Sequence, residues 1–114
     1  MTIACIIEFG VKPGMEARHQ ELVAGLMPEA EAFPGFISKE TFDSRNNPGK
    51  LITVSYWKDR AALDGWMRHA PHRKAIVEGK TEVFSRYSIL VAEVTRDLQW
   101  AAPDVAAKAR TRER

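Results

Sequence analysis

The chain has 114 residues, 45% of them hydrophobic and 28% charged, the size and composition of one globular domain with a core, which excludes a disordered or fibrous protein. No apolar run approaches the roughly 20 residues that cross a bilayer, and the first residues lack a basic region ahead of their apolar stretch, so a cytoplasmic protein with no membrane association is expected. The net charge of +2 sits in the tail, where Lys108, Arg110, Arg112 and Arg114 outnumber Asp104 and Glu113 while the body balances; this argues against nucleic-acid binding.

Residues 2–9 are rich in Ile and Phe and predict a mostly buried strand that stops at Gly10. Cys5 lies inside that run; as the single cysteine it has no internal disulfide partner and reads as a buried thiol. Pro13-Gly14 then opens a helix whose stripe is Met15, His19, Leu22, Leu26 and Ala30. Pro28 removes an amide hydrogen and is expected to kink or end this helix near Leu26, with Phe33-Pro34-Gly35 completing the break.

Residues 36–43 predict a strand with Phe36, Ser38, Glu40 and Phe42 on one face and Ile37, Lys39 and Thr41 on the other. The turn residues Asn46-Asn47-Pro48-Gly49 join it to a strand over 51–57, whose Ile52, Val54 and Tyr56 share a face, and the two make a hairpin. Asp59 caps the next helix, which carries the stripe Ala62, Leu63, Trp66 and Met67. Pro71 interrupts it: a kink is expected at Ala70, then a short helical piece through His72 and Ala75 that closes at Gly79. The last strand is predicted from Glu82 to about Arg96, with Val83, Tyr87, Ile89 and Val91 on one face and Phe84, Leu90, Ala92 and Val94 on the other. Both faces are apolar and helices can cover only one, so a homodimer is expected, with Phe84, Leu90 or Ala92 in the contact.

The order strand, helix, strand, strand, helix, strand is the ferredoxin-like βαββαβ pattern, an α+β fold with an antiparallel sheet. One domain is expected over residues 1–97, followed by a C-terminal extension, 98–114, that is partly disordered or packs on the partner subunit. Trp57, Trp66, His69 and His72 stand on one strand–helix unit, and two indoles with two imidazoles suit a cavity for a flat aromatic molecule. Each has a plainer reading. Trp66 at helical spacing with Leu63 and Met67 is more often core than catalyst, and Trp57 is similar; His69 and His72 can bond a carbonyl freed at the proline, and His19 reads first as a satisfied structural histidine. No metal site is expected, because His69 and His72 lack a clear third ligand.

The segments Phe33-Pro34-Gly35-Phe36 and Ser55-Tyr56-Trp57-Lys58, the helix with Trp66 followed by His69 and His72, and the strand over residues 87–94 resemble the antibiotic biosynthesis monooxygenase family. The resemblance covers about residues 2–96. It implies a dimeric α+β barrel in which two sheets meet face to face, with a pocket in each subunit between helices and sheet. It also implies, among several activities, cofactor-independent monooxygenation of a hydroxylated aromatic or quinol-type substrate with dioxygen. In that chemistry a base removes the hydroxyl proton, the anion gives an electron to dioxygen, and the radical pair combines. His69 or His72 would be the base, Trp57 and Trp66 would stack on the ring, Arg86 or Tyr87 would hold the oxyanion, and His19 would face the same cavity. The alternative is a haem-binding or haem-degrading protein: Trp66 and His72 suit it, but the first strand, with Cys5, Ile6 and Ile7, lacks the asparagine that haem-degrading members carry. A non-catalytic dimer that binds a small ligand is the other alternative, since a fold alone does not confer chemistry.

Overall fold

A computed structural model describes residues 1–103. The elements in order are β1 (Ile3–Val11), α1 (Glu16–Ala32), β2 (Phe36–Asp43), β3 (Leu51–Trp57), α2 (Arg60–Arg68), α3 (Ala70–Glu78), a π-helical turn (Gly79–Val83) and β4 (Phe84–Glu93). The strands form one antiparallel sheet in the order β2-β3-β1-β4. This is the expected α+β, ferredoxin-like arrangement. Ile3, Cys5 and Trp57 from the sheet pack with Ala30, Leu63 and Trp66 from the helices to form the core. Among the described residues no helix is long and apolar enough to cross a membrane. Of the expected C-terminal extension, residues 104–114 lie outside the described residues.

Several local expectations are corrected. Gly10 does not stop β1, because β4 goes on pairing opposite it, Gly10 with Arg86 and Val11 with Phe84. A Cβ at Gly10 would lie 2.7 Å from Ser85 Oγ, so this glycine serves close approach between strands. Helix α1 does not end near Leu26 but runs through Pro28 to Ala32, where the Phe33 amide bonds the Ala30 carbonyl. Helix α3 ends at Glu78 with Gly79 as its C-cap, as expected, but the strand does not follow at Glu82: the chain continues from Gly79 as the π-helical turn, with Thr81 Oγ1 donating to the Val77 carbonyl at 2.8 Å, and β4 starts only at Phe84. The break between α2 and α3 falls at His69, in extended geometry (φ −61°, ψ 126°), rather than at Ala70. Pro71 in the first turn of α3 needs no intrahelical acceptor for an amide, so the helix can include the residue before it.

Two bulges change which side chains face the helices. Phe36 pairs with Trp57 and Ser38 with Tyr56, so Ile37 is an extra residue on β2. Phe36 therefore joins Lys39 and Thr41 on the inner face, and Ile37 is pushed outward to 50% exposure. On β4, Phe84 pairs with Val11 and Arg86 with Gly10, leaving Ser85 extra. Phe84 thus shares the inner face with Tyr87, their rings stacked at 5.5 Å, and does not lie with Leu90 and Ala92 as strict alternation predicts. The outer face, away from the helices, keeps Phe42, Tyr56 and Leu90 exposed.

Candidate functional site

Between the inner sheet face and the three helices lies a cavity of about 120 Å³. Its floor is unusually polar for the inner side of a sheet: Cys5, Lys39, Thr41, Thr53 and Ser55 all line it. These hydroxyls are used. Thr41 Oγ1 and Thr53 Oγ1 share a hydrogen bond of 2.8 Å across the β2–β3 pair, and Ser55 Oγ accepts one of 3.0 Å from Trp57 Nε1. The walls are apolar, from Leu22 and Leu26 of α1 to Ile76 of α3.

Helix α2 places the central aromatic group. Asp59 accepts a 2.9 Å hydrogen bond from the Ala62 amide, the expected N-cap, and this fixes the start of a helix whose buried residues are Leu63 and Trp66. Trp66 is 6% exposed and lines the cavity. Its ring lies 4.6 Å from that of His72, 5.5 Å from His69 and 6.0 Å from Trp57. The break at His69 makes this possible: it turns α3 so that His72, one turn beyond, comes over the indole while His69 flanks it.

The two histidines part company in their surroundings. His69 does not line the cavity; its Nε2 is 3.0 Å from Glu29 Oε1 on α1. His72 lines the cavity, and its Nδ1 is buried without a hydrogen-bond partner. Burial pushes its pKa down to about 4; Lys39 and His69 add repulsion, and the Met67 and Trp66 carbonyls pull weakly the other way. His72 is therefore a neutral imidazole at pH 7, able to accept a proton.

The remaining expected site residues divide as follows. Trp57 lines the cavity but is 1% exposed, wedged between Phe33 and Phe36, so it is first a core residue. His19 lines the cavity beside Phe9, ring centres 5.3 Å apart, and burial lowers its pKa. Tyr87 lines it too, with burial raising the phenol pKa. Arg86 is not brought in; it sits exposed on the outer face of β4, one residue past the bulge.

Lys39 is the residue that sequence reasoning missed as a site group. It lines the cavity, and burial lowers its pKa. Among the described residues its side chain takes part in no ion pair or hydrogen bond. The one available signal was its register: Lys39 pairs with Ser55, in phase with the buried Trp57. Among the described residues no group of three or more His, Cys, Asp or Glu is placed to hold a metal ion.

Comparison with known proteins bears on the family and the fold. The profile of the family described as "Antibiotic biosynthesis monooxygenase" matches residues 2–78. A protein named "Jasmonate monooxygenase ABM", from Pyricularia oryzae, is 28% identical over 96 residues; the match takes in 84% of this chain but 45% of that protein, so the chain spans about half of that relative. YqjZ of Bacillus subtilis, described as uncharacterized, is 31% identical over 91 residues, covering 80% of this chain and 78% of its own. The solved structure of SnoaB, a cofactor-independent oxygenase from Streptomyces nogalater, superposes with a TM-score of 0.72 over 85% of this chain and 96% of its own. At 12% identity that likeness concerns the fold.

Proposed function

Because the chain belongs to the antibiotic biosynthesis monooxygenase family, we propose that its cavity oxygenates a small hydroxylated aromatic with dioxygen and no bound cofactor, His72 taking the hydroxyl proton. The observation that carries this reading is His72, a neutral imidazole at the cavity wall beside Trp66 whose Nδ1 has no hydrogen-bond partner. Substrate size follows from volume. A cavity of roughly 150 Å³ holds benzene, so about 120 Å³ suits one ring rather than a fused polycycle.

For a hydroquinone the atoms balance as follows. Proton loss gives the aryloxide, which passes one electron to dioxygen. The semiquinone and superoxide then combine at a ring carbon, one oxygen atom stays as a new hydroxyl, and the other leaves as water, the quinol supplying the remaining electrons as it becomes a quinone. Trp66 and Phe84 supply flat walls against which the ring can lie. Proton transfer is the demanding step. A phenol of pKa ~10 delivering to an imidazole of pKa about 4 is uphill by about 8 kcal/mol unless the oxyanion is stabilised.

Haem does not fit these residues. A macrocycle is several rings across and the cavity takes one, and β1 offers Cys5, Ile6 and Ile7 in place of a polar distal group.

The working unit we propose is a homodimer, two outer sheet faces meeting. The exposed Phe42, Tyr56 and Leu90 support it, as does the inversion of β3: its apolar Ile52, Val54 and Tyr56 point away from the helices while Thr53 and Ser55 point toward them. Oxygen uptake by the apo protein with single-ring hydroquinones tests the reaction. No uptake above buffer would leave a ligand-binding protein.

A further inference from the structure

We infer that Lys39 is the anion-binding group of the cavity, and that the natural ligand is a ring-sized apolar molecule bearing one oxyanion, held against the Lys39 ammonium. The inference names the substrate class for the reaction proposed above and rests on the cavity assigned there, not on oxygen chemistry.

Three observations carry it. First, among the described residues Lys39 has no carboxylate within ion-pair distance and no side-chain hydrogen bond, and none of the residues lining the cavity is Asp or Glu. The cavity has a fixed cation without a fixed counter-ion. Second, the other titratable groups that face it, Cys5, His19, His72 and Tyr87, are neutral or basic at pH 7, so none can supply the missing negative charge. Third, Lys39 lines the same cavity as Cys5 on β1, His19 on α1 and His72 on α3, and its charge acts on all three. Lys39 is half-buried without a partner, and lysines are seldom withdrawn from water unless paired. An incoming oxyanion completes that pair inside a site too apolar to screen it.

The assignment also resolves the weakness of His72 as a base. A cation beside the departing proton's oxygen lowers the substrate's pKa toward that of the imidazole, so the two groups divide the work: His72 accepts the proton, and Lys39 holds the charge left behind. Arg86, which faces outward, is not needed for it.

Spectroscopy with 4-nitrophenol tests this on the full chain, because the phenol and the phenolate absorb at different wavelengths. The bound molecule is expected to ionise at lower pH than the free one in the wild type, and at higher pH than the free one in Lys39→Met, where only the apolar walls act. Lys39→Gln serves as the second variant if Lys39→Met does not fold. The wild type alone gives an independent reading: benzoate is expected to bind at least tenfold tighter than neutral benzamide. Benzoate tighter than 4-nitrophenol marks a carboxylate that arrives charged; the reverse order marks an oxyanion formed in the cavity; both support the assignment. A lysine that merely reaches out to bulk water would leave the nitrophenol ionisation unchanged by substitution and benzoate no tighter than benzamide, and either result overturns it. Oxygen uptake separates the two readings. Uptake with nitrophenol bound as the neutral phenol defeats Lys39 alone, whereas phenolate binding without uptake from any quinol leaves Lys39 standing and defeats the oxygenase.

Discussion

The imidazole of His72 lies 4.6 Å from the indole of Trp66, across a helix break, and its Nδ1 is buried without a partner. In the mechanism proposed, these two side chains do different things to one substrate: the indole sets the ring plane and the imidazole reaches the hydroxyl. Replacing His72 with alanine is expected to lower turnover by about a hundredfold or more, the scale of a positioned proton acceptor. His69→Ala, outside the cavity, is expected to change it less than about threefold. Steady-state oxygen uptake by both variants decides, and equal losses would remove His72 from the role.

Stability is expected to fall on mild acidification. The native pKa of His72 is about 4, below the unfolded value of 6.5, so between those values the unfolded chain binds a proton that the native protein does not. Stability contributed by the neutral imidazole is present above the upper value and is lost as pH drops through the window. His19, also lowered by burial, adds a slope of the same sign. After allowance for partial exposure, about 1–2 kcal/mol should disappear between about pH 7.5 and about pH 5. Urea denaturation at the two pH values measures it; His72→Gln should flatten the slope.

The turn ahead of β2 admits only glycine. Gly35 has φ +89°, and a Cβ there would lie 2.4 Å from the Ala62 Cβ of α2. Backbone strain and overpacking together predict that Gly35→Ala costs about 2–4 kcal/mol. Chemical denaturation checks this, and a loss under about 1 kcal/mol would show that α2 can yield.

Sedimentation equilibrium is expected to give a dimer at micromolar protein. Leu90→Asp, a charge placed on the exposed outer face of β4, should weaken association by about a hundredfold or more while leaving the fold intact by circular dichroism. A wild-type monomer at that concentration would reject the face-to-face pairing of sheets.

What the sequence made legible is what local chemistry decides. The strand at Phe36–Asp43 begins and ends where the alternation and its flanking turns put it. The Asp59 cap, the proline-linked break and the meeting of Trp66 with His72 follow from signals inside one short stretch, residues 59–72. The bulges at Ile37 and Ser85 were not legible, because an extra residue is accommodated by the neighbouring strand and leaves no mark on its own. Phe84 was placed on the wrong face for that reason. Lys39 was missed because a lysine alternating with polar residues on an edge strand reads as solvated. Only the pairing of β2 with β3, which carries Thr53 and Ser55 inward beside Trp57, reveals that the polar face of this hairpin is the inner one.

Helix α3 carries the proposed proton acceptor yet contributes no fully buried residue. At its C-terminal end, Arg18 of α1 donates to Glu78 at 2.8 Å; at its N-terminal cap, His69 meets Glu29. Both ties are exposed and polar; the Arg18–Glu78 tie is an ion pair, and exposed charges are screened by electrolyte, with a Debye length of about 10 Å at 0.1 M and about 3 Å at 1 M. Ionic strength is thus a handle on one helix. Adding salt should speed amide hydrogen exchange along residues 70–78 while protection in β1 and β3, set by pairing on both sides, stays as it was.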